Sequence, residues 1–504
     1  MTNLIERLQQ LTDELSSSTS READVLLLQL TPGLAHRMRL CVIPHSFDVE
    51  TMQILDPTLS ADEARATIEE FQSLPAVTQL SDSCALHDVI RKQLFEQWLT
   101  ADRRTEFSAV SRRLATHFLP QANDNAVSRV AEQNTYVFHL LGADLAEGFE
   151  TFQQTYDTRR KQGRFSDGEA LLRLLTEYQS ILGPRERAWL TYYEAEIATD
   201  RRDWTGALNR LEDLVAQNLP DDLKSKTLLA LGAVLRQFCR FDDARLRCNE
   251  ALQYAESARG SGASLQFIHD ELGKIERDYG NFEEARRQFE QALELAKSEG
   301  DDGDRAVAYN SLGTLLLKPF PAEAAGMFEE CLNLLDPERA RERARVLNNL
   351  AIAKSNLGDW TSSLDFYQRS LQIKRNATDL YGQALTLMNM ARVYQAQQDW
   401  DAARATLMES ASLFETVHDT WNTALVHREL ARLLQHSQSL TEVRNHALKA
   451  VEYFDRAADR DESQATRREF KRAISTESKW RRKWWIGVAV AGGVISFTLY
   501  AVMH

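Results

Sequence analysis

The 504-residue sequence contains few of the residues that interrupt helices, with only 21 glycines and 10 prolines. So few turn-forming residues in a chain of this length favour helices over a turn-rich β fold. The five cysteines are odd in number and include no CxxC pair, which disfavours a disulfide framework, a zinc site and a redox role. These scarcities predict a chain that is mostly α-helical.

Short motifs that carry catalysis are also missing. The sequence has no GxxxxGK[ST] loop to hold a triphosphate, no HExxH and no GxSxG. His418, His427 and His436 recur at intervals of nine, but nine residues at about 100° each place side chains on opposite faces of a straight helix. We therefore predict that the protein is not an enzyme and has no catalytic residues, no metal and no cofactor.

Negative charge predominates, because 60 Lys and Arg residues stand against 74 Asp and Glu residues and give a formal net charge of −14. An acidic chain repels phosphate backbones, so nucleic acid is not an expected partner.

The end of the sequence is an apolar run. From Trp484 to Met503, 20 residues carry no charge, which is enough for a helix to cross the roughly 30 Å core of a bilayer. Trp484, Trp485 and Tyr500 lie near its two ends, where aromatic rings favour the membrane interface. Four basic residues flank its amino-terminal side: Lys479, Arg481, Arg482 and Lys483. This arrangement predicts a tail-anchored, single-pass membrane protein whose remaining residues are cytoplasmic.

One spacing recurs seven times along the chain. It consists of a small residue, a second small residue 12 positions later, a bulky residue four further on, and a small or apolar residue three after that. The seven first positions are Ala195, Gly232, Gly273, Gly313, Ala351, Ala391 and Ala431, with one residue deleted in the copy that begins at Gly313. Because the first small residue allows two helices to approach closely and the later positions form a buried stripe, the spacing predicts stacked helical hairpins.

These copies resemble the tetratricopeptide repeat, most clearly in LGKIERDYGNFEEARRQFEQALELA and LNNLAIAKSNLGDWTSSLDFYQRSLQI. Their first positions are 37 to 41 residues apart, against roughly 34 in the family, and the longer turns are similar to those of kinesin light chains. The resemblance implies an α-solenoid whose first helices line a groove for a protein partner.

The region before the repeats, residues 24–122, does not share their period. Its LHDVIRKQL segment, followed by helical repeats, resembles the winged-helix segment of STAND-type signalling ATPases. The helix that this resemblance would place in a DNA groove, SADEARATIEEFQSL, carries four carboxylates against one arginine. Carboxylates repel phosphates, so a packing or protein-binding role is favoured over DNA binding.

Six candidate binding residues lie close to the first small position of their copies: Asn310, Asn349, Asn389, Lys274, Arg392 and Arg432. An asparagine amide donates and accepts hydrogen bonds at once, which suits an extended peptide backbone. In related repeats, asparagines at the matching positions hold a peptide, and the three cations predict a ligand with carboxylates. The alternative is that these side chains are solvated on exposed helix faces.

The predicted organisation comprises an N-terminal extension (1–23), a winged-helix-like domain (24–122), capping repeats (123–186), the repeat array (187–458), a charged stalk (459–483) and a transmembrane helix (484–503). The favoured function is a non-catalytic, membrane-anchored adaptor that binds a protein partner, such as a protease or signalling enzyme, in bacterial signalling or defence. One alternative is an effector whose terminal helix forms homo-oligomers and damages the membrane after proteolysis or partner binding. The other is a membrane-tethered transcription regulator.

Overall fold

The computed structural model describes residues 21–119, 126–162, 164–257, 265–299, 302–337, 339–435 and 439–474. Within these ranges the chain is helical apart from turns, one 3₁₀ turn and a short antiparallel β hairpin with one bridging residue. It divides into two compact units, Met1–Ala263 and Ser264–His504. The predicted all-α solenoid class is thus confirmed for the described residues.

In its described residues 21–119, the first unit has four helices, a hairpin and two further helices: α1 (Arg21–Leu28), α2 (Pro32–Leu40), α3 (Val49–Leu55), α4 (Ala61–Gln72), β1 (Val77–Gln79), β2 (Cys84–Leu86), α5 (Asp88–Trp98) and α6 (Arg104–His117). Phe47 forms a bridge to Cys84 on the free edge of β2. Helix α4 starts at a capping box in which Ser60 and Glu63 bond each other's backbone N–H groups.

Seven helices complete the first unit: α7 (Ala126–Ala143), α8 (Leu145–Lys161), α9 (Phe165–Thr176), α10 (Pro184–Asp200), α11 (Trp204–Val215), α12 (Asp221–Gln237) and α13 (Phe241–Ser257). The 3₁₀ turn, Gln179–Ile181, follows α9. Glu177 joins these helices to the amino-terminal part, because its carboxylate lies 2.8 Å from His45 Nε2 and also accepts a 2.8 Å hydrogen bond from Arg91 Nη1.

The second unit contains eleven helices in the residues that the structure describes: α14 (Leu265–Tyr279), α15 (Phe282–Glu299), α16 (Asp302–Leu316), α17 (Pro321–Leu334), α18 (Ala340–Asn356), α19 (Trp360–Asn376), α20 (Leu380–Ala396), α21 (Trp400–Thr416), α22 (Thr420–Leu434), α23 (Leu440–Arg456) and α24 (Arg460–Glu469). The even-numbered helices α14 to α22 are termed A helices, and the odd-numbered helices α15 to α23 are termed B helices. Each A helix packs against the B helix that follows it.

Small residues bring the paired helices together, as their spacing predicts. A Cβ atom added to Gly273 would lie 2.6 Å from ring carbons of Phe289, and one added to Gly313 would lie 2.9 Å from the ring of Phe328. Both rings are fully buried. Helices A and B are therefore in direct contact at the first position of the repeat.

Six turns between helices of the second unit contain a left-handed residue, and a helix begins two positions after it. Gly280 and Gly358 adopt φ values of 97° and 80°. Four residues with side chains adopt φ between 51° and 62°: Thr378, Gln398, His418 and Ala458. An aspartate side chain then accepts a backbone hydrogen bond at the start of five helices: Asp359, Asp379, Asp399, Asp419 and Asp459.

The first part of the predicted stalk is folded onto the last hairpin. Residues Arg460–Glu469 form α24, and the following Phe470 is 2% exposed within a cluster that includes Ala431 and Ala447. Arg428 pairs with Glu462 of this helix, and Arg432 pairs with Glu469. Helix α24 therefore covers the end of the α22–α23 hairpin.

The transmembrane part of the predicted fold class requires correction. None of the helices in the described ranges is long and apolar enough to cross a bilayer. The predicted span at 484–503, with Trp484, Trp485 and Tyr500, and the flanking Lys479, Arg481, Arg482 and Lys483 all lie outside those ranges. An uncharged run has the length of a membrane span but does not establish a continuous helix, so the predictions of a tail anchor and of single-pass membrane localisation are wrong on the present structure.

Candidate functional site

The three predicted asparagines lie on successive A helices of the second unit. Asn310 is on α16, Asn349 on α18 and Asn389 on α20, and all three side chains are half-buried. The Nδ2 group of Asn349 donates to Asn310 Oδ1 across 3.3 Å. Two of the predicted amides thus meet between neighbouring A helices, and Asn389 takes the position corresponding to Asn349 on the next one. We call the surface that carries these three residues the A-helix face.

Two of the three predicted cations are engaged within the protein. Lys274 Nζ lies 2.7 Å from Asp270 Oδ2 and 3.3 Å from Glu271 Oε2, and both carboxylates are almost fully buried. Arg432 donates from Nε to Glu469 across 2.7 Å and from Nη1 to Glu429 across 2.6 Å. The bonds to Glu469 hold the pKa of Arg432 above its ordinary value despite partial burial.

Arg392 is the predicted cation that remains available to a ligand. It lies on α20, three residues after Asn389, and its side chain is exposed. It forms no ion pair with the other described residues, and its positive charge lowers the pKa of Tyr367, although burial raises that pKa more strongly. The basic stripe expected from the sequence is therefore reduced to one exposed guanidinium beside the asparagines.

A polar network that was not predicted from the sequence lies next to the A-helix face. Lys374 Nζ, near the end of α19, donates to Thr386 Oγ1 across 2.7 Å, and Thr386 Oγ1 lies 3.3 Å from Asn348 Oδ1. Burial lowers the pKa of Lys374 to about 8, although Asp379 acts in the opposite direction. The signal that could have revealed this network is the separation of Thr386 and Asn348, which is 38 residues and close to the period of the repeat.

Two other kinds of site are a metal centre and an apolar pocket. No three His, Cys, Asp or Glu side chains among the described residues converge in a way that could hold a metal ion. A pocket of about 400 Å³ in the first unit lies between α1 and α5 and is lined mostly by apolar residues such as Val25, Ala76 and Ile90. It lies in the amino-terminal part of the chain, and His87, Val89 and Ile90 of the LHDVIRKQL segment belong to its lining.

Residues 265–336 and 342–416 match the family model described as tetratricopeptide repeat. The second unit contains tetratricopeptide repeats. The matched ranges cover α14 to α21 apart from short connections, so Asn310, Asn349, Asn389 and Arg392 all lie on A helices of matched tetratricopeptide repeats. No curated protein sequence matches the chain.

Several solved structures align with this chain. A Signal Transduction ATPase with Numerous Domains (STAND) protein with a tetratricopeptide repeat sensor, from Pyrococcus horikoshii, aligns with a TM-score of 0.57 at 13% identity, over 94% of this chain and 65% of that chain. This chain therefore spans less than two thirds of that protein's length. The apo form of the quorum sensor NprR from B. thuringiensis aligns with a TM-score of 0.45 at 14% identity, over 66% of this chain and 99% of that chain. A Rap protein complexed with competence and sporulation factor aligns with a TM-score of 0.44 at 12% identity, over 68% of this chain and 97% of that chain.

At such identities the likeness describes the fold alone. The alignment with the STAND protein extends the similarity beyond the matched tetratricopeptide repeats to nearly the whole chain. It is not specific for the winged-helix-like domain at 24–122, which stays a prediction.

Proposed function

We propose that the tetratricopeptide repeats of the second unit bind an extended segment of a protein partner along the A-helix face. The observation that carries this proposal is the contact between Asn349 and Asn310, which places two half-buried amides side by side on neighbouring A helices. Each amide has donor and acceptor groups, and an extended backbone presents donors and acceptors in alternation. Amides on three successive A helices therefore suit a peptide that lies across these helices.

The charges of the A-helix face indicate where the ligand would be acidic. Lys274 and Arg432 already neutralise carboxylates of the protein itself. Arg392, which is exposed close to Asn389, is the cation best placed to meet a carboxylate of the ligand. We therefore propose a peptide that is neutral along most of the A-helix face and acidic near α20.

Peptide selection tests this proposal directly. Peptides are selected from a random display library on the full chain, and their affinities are measured by fluorescence polarisation for the parent and for Asn349→Ala/Asn389→Ala. A net loss of about 1 kcal/mol for each missing amide contact predicts roughly 30-fold weaker binding for the double variant. Asn333→Ala is the matched control, because Asn333 is exposed on B helix α17.

The outcomes separate the amide contacts from the charge. Equal affinity of the parent and the double variant for every selected peptide would remove the A-helix face from the proposal. Arg392→Gln should weaken acidic peptides selectively and reduce the salt dependence of their binding. Thermal unfolding of each variant checks that the fold is retained.

For the amino-terminal part we propose a winged-helix-like domain that contacts protein. The order of α2, the bridge at Phe47, α3, α4, the β1–β2 hairpin and α5 supports this assignment. The four carboxylates of α4, Asp62, Glu63, Glu69 and Glu70, are all exposed. Their charge makes this helix unsuitable for a phosphate backbone, which weighs against a transcription regulator.

A further inference from the structure

A pair of histidines lies in the last hairpin of the second unit. His427 on A helix α22 and His446 on B helix α23 face each other, with their Nδ1 atoms 3.0 Å apart. His427 is only 3% exposed, whereas His446 is half-buried. Their contact joins the two helices of the hairpin.

Helices α21 and α23 complete the surroundings of the pair. Glu415 Oε1 on α21 lies 3.5 Å from His427 Nε2 and accepts a 3.1 Å hydrogen bond from the Tyr453 hydroxyl, and the Tyr453 ring stacks on His427. Besides Glu415, three charged groups act on the pair: Lys449 and Glu442 on α23, and Arg404 on α21. Arg404 and Glu442 are paired with each other across 3.1 Å. Among the described residues, Glu415 is therefore the one carboxylate directed at the buried ring of His427.

The contact between the two rings depends on their protonation. Two nitrogens 3.0 Å apart can share a single proton, because one ring must donate and the other must accept. When both rings are protonated, both Nδ1 atoms are donors and two positive charges face each other in a poorly solvated space. The closed hairpin therefore accommodates fewer protons than the separated rings can bind.

We propose that this histidine pair is an acid-sensitive latch: proton uptake by His427 and His446 opens the α22–α23 hairpin and loosens the α24 helix that covers it. The link to α24 is physical, because Phe470, just after α24, is buried against Ala431 of α22 and Ala447 of α23. Arg428 and Arg432 of α22 also hold Glu462 and Glu469 of α24. The latch concerns the end of the repeats and does not depend on the proposed peptide site.

The direction of the effect agrees with the titration of the two rings. Burial, followed by the charges of His446 and Lys449, lowers the pKa of His427 from 6.5 to about 4, and burial likewise lowers the pKa of His446. In an open hairpin the rings would return towards the ordinary value of about 6.5. Between these limits the open form binds more protons, so the closed form loses stability as the pH falls from about 6.5 to about 4. For His427 alone, the opening equilibrium at pH 5.0 increases about 30-fold relative to pH 7.5.

Hydrogen exchange of the full chain, followed by mass spectrometry at pH 7.5 and pH 5.0, measures this opening. After correction for intrinsic exchange rates, we expect protection in α22 to α24 to fall about 30-fold or more, relative to α16 and α17 of the same unit. His427→Asn/His446→Asn, which keeps a neutral polar contact near the Nδ1 positions, should lose most of this pH dependence. His418→Gln is the matched control, because His418 is exposed in the adjoining turn and its left-handed conformation is one that glutamine also adopts, at Gln398; it should behave as the parent does.

Two further measurements keep the proposal open to refutation if the double variant fails to close. His446→Lys carries a permanent charge and should show at pH 7.5 the low protection that the parent shows at pH 5.0. Exchange of the imidazole C2 hydrogens in the parent reports the titration of each histidine. It should give His427 a pKa well below that of an ordinary histidine. The proposal is wrong if the parent shows no excess loss in α22 to α24, if His446→Lys is as protected as the parent, or if His427 titrates normally.

Discussion

The close approach of helices A and B predicts opposite effects for the same substitution at two glycines of the second unit. In Gly273→Ala, the new Cβ would lie within 3.0 Å of three ring carbons of Phe289, whose side chain is fully buried. In Gly326→Ala, the new Cβ on the exposed side of α17 would have no neighbour within 4 Å. Both variants gain helix propensity, so the difference between their stabilities measures the packing effect alone.

The magnitudes follow from these two environments. Overpacking a well-filled core costs about 1–3 kcal/mol, and three close ring contacts on an immobile side chain place Gly273→Ala at about 2–3 kcal/mol. Replacing a helical glycine by alanine stabilises the helix by about 1 kcal/mol, so the net loss in the free energy of unfolding of Gly273→Ala is about 1–2 kcal/mol. Gly326→Ala should instead gain about 0.5–1 kcal/mol.

Urea unfolding by circular dichroism and hydrogen exchange in α14 to α17 measure these changes. The exchange data are needed because a chain of two units need not unfold in one step. An unchanged or increased stability of Gly273→Ala would refute the argument that the first small position of the repeat is a helix–helix contact. A loss in Gly326→Ala as large as in Gly273→Ala would show that the effect is not one of packing.

Two other predictions concern the first unit and the cysteines. Glu177→Gln should destabilise the protein by about 1.5–3 kcal/mol at pH 7, because hydrogen bonds from His45 and Arg91 hold the pKa of Glu177 below its ordinary value even though burial acts to raise it. This contribution is present above pH 4.5 and is lost as the pH falls through the lowered pKa of Glu177. The thermal unfolding temperatures of the parent and the variant should therefore converge at low pH. A difference that stays constant with pH would contradict the ion pair. Under native conditions a maleimide should label Cys239 alone, because the other four cysteines are buried and burial raises the pKa of Cys331 to about 12. Intact mass spectrometry should show one adduct, and rapid labelling of Cys331 would contradict its packing.

The sequence was sufficient for the helical hairpins because their contacts follow a regular spacing. The small residues at Gly273 and Gly313 had to meet the bulky residues 16 and 15 positions later, Phe289 and Phe328, whatever the details of the turns. Contacts between successive copies are also nearly periodic, since Asn349 meets Asn310 at a separation of 39 residues. In a repeat protein, contacts between residues far apart in the sequence recur at a nearly fixed separation, so the sequence predicts them.

The ion pairs and the terminal apolar run show where this reasoning fails. Asp270 and Glu271, four and three residues before Lys274, could have revealed its engagement through helix spacing. The partner of Arg432, Glu469, lies on α24, which has no place in the repeat and could not be anticipated. His446 lies outside the interval of nine that relates His418, His427 and His436, and it meets His427 across a hairpin rather than along one helix. Finally, the length of the apolar run at 484–503 predicts a membrane span, but length alone does not establish a helix, and none of the helices in the described ranges could cross a bilayer.

The left-handed turn residues give the second unit a direction of unfolding. Glycine fills this conformation at Gly280 and Gly358, whereas Thr378, Gln398, His418 and Ala458 fill it in the later part of the unit. A side chain in this conformation costs about 1–2 kcal/mol, so the carboxyl-terminal repeats carry several kcal/mol of local strain that the earlier ones avoid. Because repeats are stabilised mainly by their neighbours, we expect the second unit to unfold first at its carboxyl-terminal end, where the histidine latch lies, while the earlier hairpins of this unit stay folded.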